Sequence, residues 1–343
     1  MAIRIGINGF GRISRIVIRI AAQDPDVFEI AAINYRNVDL DYMVYMLRYD
    51  TVFGRFNGTL DKFEENGESG LVINGRKVPV IEGQTPIPWG KYGADYIIEG
   101  TGQFTSAEKA QMHLDGGAKK VIITAPAKDK TPTFVMGVNH TDYSADMKIV
   151  SNASCTTNCL APVLKVIQDN YGIESGLMST IHAVTAKQMA VDARSQNDWR
   201  RGRSVFGNII PTTTGAAKAV GLVIPEVQGK LTGMAFRVPT ADVSLVDVTV
   251  TLQKDATYED ICAKMKEASE TYLKDILGYT EDEVVSTDFV AEPCTSVFDA
   301  KAGMMMGNRM AKLISWYDNE FGYSKKILEL CQYMAETDAA AGK

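Results

Sequence analysis

Residues 151–159, Ser-Asn-Ala-Ser-Cys-Thr-Thr-Asn-Cys, contain the side chain best suited to covalent chemistry, Cys155. An apolar run at 148–150 leads into the segment, and a helical pattern beginning near Leu160 leads out of it. A cysteine at a strand-to-helix turn meets unclaimed backbone N–H groups and the positive end of the helix dipole, and both favour thiolate over thiol. Thiolate is the nucleophilic form, so the segment suggests a covalent intermediate on sulfur. Taken alone, the nine residues read equally well as a buried cysteine at a helix start. What surrounds the segment decides between the two.

The chain has 343 residues, enough for two domains with substantial cores. Hydrophobic residues at 45% and charged residues at 23% fit a soluble globular protein. The net charge of −6 argues against a dedicated nucleic-acid surface. No apolar run approaches the roughly 20 residues that cross a bilayer, and the first residues read as a strand without the long apolar core of a signal peptide. Five cysteines without framework spacing point to a reducing compartment, with the cytoplasm as the expected location.

Through residue 150 the chain alternates β-runs (3–7, 28–33, 96–99, 121–124, 148–150) with helical patterns (13–22, 40–47, 107–115). That alternation predicts a doubly wound parallel sheet of Rossmann type. Glycines at 58, 67, 70 and 75 suggest an antiparallel excursion within it. The second half has longer β-runs at 177–184, 231–238, 245–252 and 304–316, and residues 246–251 alternate with period two. This predicts an α+β domain with a mainly antiparallel sheet that has one wet face. Residues 185–211 read as a long functional loop, and 324–335 as a terminal helix. The expected domains are 1–153, completed by a C-terminal helix at 320–343, and 154–319.

Gly9 and Gly11 follow the first strand and open a helix. They supply the first two glycines of G-x-G-x-x-G, where backbone can approach a pyrophosphate. Ser14 stands at the third position, small but not the expected residue. At the end of the second strand, where a carboxylate would bind ribose hydroxyls, the chain reads Ile33-Asn34-Tyr35-Arg36-Asn37. Arg36 could pair with a 2′-phosphate or be a solvated surface charge; the residues alone leave both open.

With these segments in view, together with 215–221, Thr232–Thr240 (TGMAFRVPT) and Ser315–Glu320 (SWYDNE), the chain closely resembles the phosphorylating glyceraldehyde-3-phosphate dehydrogenases over essentially its whole length. The resemblance implies that Cys155 attacks an aldehyde to form a thiohemiacetal, with His182 as its base, which makes the α+β domain the catalytic domain. It implies NAD as cofactor, held by Gly9, Gly11, Arg12, Ile13, Tyr35, Arg36, Thr101, Thr124 and Asn319, the last fixing the nicotinamide carboxamide. Ser154, Thr156, Thr185, Arg200, Thr214, Gly215 and Arg237 would serve two anion sites, one for the substrate's phosphate and one for inorganic phosphate. Glyceraldehyde 3-phosphate and inorganic phosphate are then the small-molecule partners, and a homotetramer the expected assembly. No metal is expected, because Cys155 and Cys159 have no second ligand pair at metal spacing. Cys159, His113 and His140 read as structural, and Met304-Met305-Met306 as strand core. Arg194, Arg200, Arg201 and Arg203 form a basic cluster in the long loop.

Three departures bear on the cofactor. Tyr35 stands where NAD-dependent members usually carry aspartate. Arg194, beside Ala193, replaces a usual proline, and Gly83-Gln84 follows Glu82 where a basic residue near the adenine is common. Loss of the aspartate removes an acceptor for the 2′-hydroxyl and a charge that repels a 2′-phosphate, so NADP is expected to be accepted alongside NAD. Two alternatives remain: erythrose-4-phosphate dehydrogenase, which hydrolyses its thioester, and a nucleotide-binding surface interaction protein with secondary catalysis.

Overall fold

Six parallel strands form the centre of the first sheet in the computed structural model, which describes residues 2–196 and 198–342. In chain order the first elements are β1 (Ile3–Asn8), α1 (Arg12–Ala21), β2 (Phe28–Tyr35), α2 (Leu40–Arg48), β3 (Leu60–Glu65), β4 (Glu68–Ile73), β5 (Arg76–Glu82), α3 (Trp89–Tyr92), β6 (Tyr96–Glu99), α4 (Ala107–Asp115), β7 (Lys120–Ile123) and β8 (Ile149–Ser151). The strand order is β3-β4-β5-β2-β1-β6-β7-β8. From β5 to β8 every pairing is parallel, while β3, β4 and β5 pair antiparallel in the glycine-marked excursion.

The chain leaves β1 for β2 on one side and later returns to β6 on the other. That reversal opens a crevice beyond the carboxyl ends of β1 and β6, where a doubly wound sheet receives its ligand. Gly9 turns the chain there at φ +102°, a conformation that favours glycine. Ser14 fills the third motif position, fully buried, and a Cβ on Gly100 would lie 2.2 Å from its Oγ. A small residue at 14 and glycine at 100 together let α1 approach the end of β6.

The second sheet is built from β9 (Ile173–His182), β10 (Ile210–Thr213), β11 (Leu231–Arg237), β12 (Ser244–Leu252), β13 (Leu277–Thr280), β14 (Ser296–Asp299), β15 (Met304–Met306) and β16 (Met310–Tyr317). Its order is β10-β11-β9-β12-β16-β14-β13, with β15 on β16. Two pairings are parallel, β11 with β9 and β13 with β14, and the rest are antiparallel. The helices are α5 (Cys155–Tyr171), α6 (Ala216–Val223), α7 (Tyr258–Glu270) and α8 (Phe321–Ala340). α5 is buried along most of its length and packs on α6, α7, β14 and β16. By its internal contacts the chain divides into 1–134, 142–153 and 324–343 as one unit and 135–141 and 154–323 as the other.

Three expectations are corrected. α5 begins at Cys155, not near Leu160, because its first turn, Cys-Thr-Thr-Asn, carries no apolar periodicity to betray it. The run 304–316 is a hairpin, broken at Gly307 with φ +65°. Its first arm is not core: Met304 and Met306 are 59% and 69% exposed.

Candidate active site

Cys155 is the first residue of α5 and keeps part of its surface open. Ser154 caps the helix, its Oγ accepting from the backbone N–H of Thr157 at 3.1 Å, and no acidic residue sits in the first turn. The positive helix end therefore acts on the thiol undiluted. His182 closes β9, with Nε2 3.6 Å from the Cys155 sulfur. Arg237 closes β11, and the parallel register sets it directly beside His182. Its Nη1 donates to the Ala183 carbonyl at 3.0 Å and lies 2.6 Å from His182 Nδ1.

Tyr317, which carries no expectation from the sequence, is the last residue of β16. Its hydroxyl lies 2.9 Å from both Thr156 Oγ1 and Thr180 Oγ1, and its ring stands edge-on to His182 at 5.9 Å. Nothing local marks this tyrosine; strand pairing alone brings it under the thiol.

Burial pushes the Cys155 thiol up, while Arg237 and the Thr156 hydroxyl act in the opposite direction. Burial, then Arg237, pushes His182 down to about 3. Each charge alone is thus disfavoured. At 3.6 Å, a thiolate and an imidazolium formed together would offset one another. The tautomer follows from the partners. Arginine only donates, so Arg237 against Nδ1 leaves the ring proton on Nε2. The alternative, Nδ1–H donating to the Ala183 carbonyl at 2.8 Å, frees Nε2 to accept a proton. Base chemistry requires the second arrangement, with Arg237 drawn off by another anion.

Several features prepare Arg237 for an anion. Its Nε is buried without a partner among the described residues, and Arg201 is near enough for its charge to act on it. Arg200, expected at an anion site, and its neighbour Arg201 differ in their contacts. Arg201, not Arg200, reaches the hydroxyl-rich strand β10, donating to Thr212 Oγ1 at 2.9 Å and Thr213 Oγ1 at 3.3 Å. Arg200 is exposed, in the short helical turn Trp199–Gly202. Adjacent arginines in a tight turn point to different sides, and sequence alone does not tell them apart. Thr214 Oγ1 accepts from the Ala216 N–H, and Gly215 leads into α6. Thr185 donates its N–H and hydroxyl to Gln188 Oε1, both at 2.8 Å. Thr156 is buried, with its hydroxyl against Tyr317 and close enough to the thiol to act on it.

Asn319 is buried, and its Oδ1 accepts from Ser244 Oγ at 2.6 Å, while Ser244 accepts from the Ala183 N–H at 3.0 Å. The amide NH2 of Asn319 is thereby left to donate to a ligand carbonyl. Next to it, Asp318 accepts three backbone N–H groups, from Ala291, Glu320 and Phe321. Burial, then the neighbouring Asp318 and Glu320, push the Asp242 carboxyl well above its usual range.

In the first unit, a cavity of about 330 Å³ lies beyond β1, β2 and β6. Gly9, Gly11, Tyr35, Arg36 and Thr101 line it, and Arg36 is the one charged residue among its described walls. α1 starts at its rim with no side-chain cap and no acidic residue in its first turn. Arg12 pairs with Asp50, so Arg12 and Ile13 would meet a pyrophosphate through backbone N–H groups. Asn34 Oδ1 is buried without a partner at the cavity wall. Thr124 donates N–H and hydroxyl to the Glu99 carbonyl and lies outside these walls. An uncapped helix start, a left-handed glycine and an unmatched acceptor fit a dinucleotide.

A dinucleotide-type crevice in one unit and a thiol–imidazole pair beside a half-satisfied arginine in the other fit a thiol-dependent, nicotinamide-using oxidoreductase. Comparison with known proteins narrows this. The family model "Glyceraldehyde 3-phosphate dehydrogenase, NAD binding domain" matches residues 3–107, and "Glyceraldehyde 3-phosphate dehydrogenase, C-terminal domain" matches 154–319. Glyceraldehyde-3-phosphate dehydrogenase 2 of Mucor circinelloides f. lusitanicus is 57% identical over 99% of this chain and 100% of its own length. The glyceraldehyde-3-phosphate dehydrogenase of Ogataea parapolymorpha is also 57% identical, over 99% of this chain and all of its own. A relative from Gracilaria gracilis named as cytosolic is 54% identical over 97% of this chain and 98% of its own. The chain belongs to the glyceraldehyde-3-phosphate dehydrogenase family.

If His182 stabilises the Cys155 thiolate, His182→Ala should slow alkylation of Cys155 by iodoacetamide about tenfold at pH 7. The rate should then keep rising into the alkaline range, since a lone buried thiol ionises late. An unchanged rate and pH profile would remove His182 from the thiol's activation.

Proposed function

We propose that the chain oxidises glyceraldehyde 3-phosphate to 1,3-bisphosphoglycerate, with Cys155 as nucleophile and His182 as general base. The observation that carries this reading is the 3.6 Å approach of His182 Nε2 to a thiol at a helix start, beside a half-satisfied arginine. The Cys155 thiolate adds to the aldehyde carbon, and the carbonyl electrons move to oxygen, which is protonated to a thiohemiacetal. The bound nicotinamide cofactor supplies a hydride acceptor. His182 takes the hydroxyl proton as the carbon gives up its hydride, leaving a thioester on sulfur. Inorganic phosphate then attacks the thioester, and Cys155 departs as thiolate.

Arg237 and Arg201, with the hydroxyls of Ser154, Thr185 and Thr214 and the Gly215 turn, are assigned to the two anions. An anion between the arginines offsets their mutual repulsion. It also draws Arg237 from Nδ1, releasing His182 into its basic tautomer. Asn319, oriented by Ser244, presents its NH2 to the nicotinamide carboxamide.

NAD fits the family, and the cavity at β2 supports acceptance of NADP as well. No carboxylate lines its described walls, and Tyr35 and Arg36 line it at the end of β2, a neutral and a cationic side chain that would not repel a 2′-phosphate. The uncovered face of the second sheet, with Leu177 at 66% exposure, and the loop residues Trp199 and Phe206 at 86% and 70%, support assembly into a homotetramer. No helix of the described residues is long and apolar enough to cross a membrane; a cytosolic location agrees with the names of two relatives.

Initial rates with each cofactor at equal concentration, with and without phosphate, test the reading. Turnover should require phosphate, which separates it from thioester hydrolysis, and NADP should support a rate within about tenfold of NAD. A preference for NAD on the order of a hundredfold would refute dual use. Light scattering at micromolar protein should report four chain masses; a monomer would refute the assembly.

A further inference from the structure

Glu99 ends β6 fully buried and receives four hydrogen bonds. The Thr101 N–H at 2.8 Å and the Thr101 hydroxyl reach Oε1; Asn8 Nδ2 and His113 Nε2, the latter at 3.0 Å, reach Oε2. Behind it, His113 Nδ1 accepts from the Trp89 indole N–H at 3.0 Å. An indole N–H only donates, so the ring proton of His113 lies on Nε2, aimed at Glu99. One polarity runs through the whole chain of contacts.

In the other direction the same logic reaches the cavity. A carboxylate only accepts, so Asn8 must turn its NH2 to Glu99 and its Oδ1 away. Asn34 Nδ2 donates to that Oδ1 at 2.7 Å. The amide of Asn34 therefore cannot flip without setting two oxygens against each other, and its own Oδ1 is left over. Asn34 is 6% exposed, it lines the cavity at the end of β2, and its Oδ1 has no partner among the described residues. A buried amide oxygen without a donor is costly unless a ligand supplies one.

From this we infer that Asn34 Oδ1 accepts a hydroxyl of the adenosine ribose, and that Glu99, acting through Asn8, is the positioning residue that holds the acceptor toward the ligand. The inference rests on the cofactor reading above. It gives this chain a neutral acceptor at the strand end that lacks a carboxylate. A neutral amide serves a ribose hydroxyl without repelling a phosphate on the neighbouring carbon, whereas an aspartate would repel it.

The test is a binding cycle read by the fluorescence of bound NADH, using NADH and its analogue with 2′,3′-dideoxyadenosine, on the full chain. Asn34→Leu should weaken NADH about tenfold and leave the dideoxy analogue nearly unchanged. Glu99→Gln, which adds a donor where the relay has only acceptors, should lose the same discrimination although Asn34 is intact. Asn34→Asp keeps an acceptor, so it should hold NADH within about threefold while weakening NADPH by tenfold or more. If Asn34→Leu does not fold, Asn34→Ala is measured against the same pair. Equal weakening of both nucleotides, or of neither, overturns the inference and leaves the cofactor reading standing. No NADH binding by the unaltered chain would overturn both.

Discussion

The active arrangement depends on bringing a thiol at the start of one helix against an imidazole at the end of one strand. Cys155 and His182 are 27 positions apart, and neither is activated where it stands alone. α5 supplies a buried axis with its positive end at the sulfur, and β9 supplies the reach to Nε2. The sheet then fixes the rest. Parallel pairing of β11 with β9 sets Arg237 beside His182, and antiparallel pairing of β12 with β9 sets Ser244 near Ala183. Antiparallel pairing of β16 with β12 brings Tyr317 beneath the thiol. A one-residue slip in any of these ladders would turn a functional side chain to the opposite face.

Burial gives that arrangement its chemistry. In water a thiol and an imidazole at neutral pH would need little help to titrate separately. Here desolvation opposes either ion, and Arg237 favours charge on the sulfur while opposing it on the ring. The Arg237 N–H and the ring's own proton compete for Nδ1 of His182, which links anion binding to base strength through geometry. The same economy of partners recurs at Asn319 and Asn34. At Asn34 a carboxylate that can only accept dictates which end of the amide is left over, and at Asn319 the Ser244 hydroxyl occupies the amide oxygen.

How much of this could be read from the sequence varied with locality. Gly9 and Gly11 were legible because a turn's needs are satisfied by adjacent residues, and Cys155 because its flanks change from strand to helix within a few positions. The parallel first sheet followed from alternating runs. His182 and Arg237 were reached only through resemblance, since strand register is not written in either segment. Tyr317 and the relay behind Asn34 had no local mark at all. The exposure of Met304 and Met306 was misjudged because an apolar triplet signals a strand without saying which face is covered. Arg200 and Arg201 differ by one step in a tight turn, below what composition resolves.

The central claim is that oxidation proceeds through an acyl group on Cys155. Mixing the enzyme with cofactor and glyceraldehyde 3-phosphate in the absence of phosphate isolates that step. The account predicts a burst of one reduced cofactor per chain and a mass increase of one acyl group on the peptide containing Cys155, discharged when phosphate is added. Sustained turnover without phosphate, or a burst that leaves Cys155 unmodified, would contradict it.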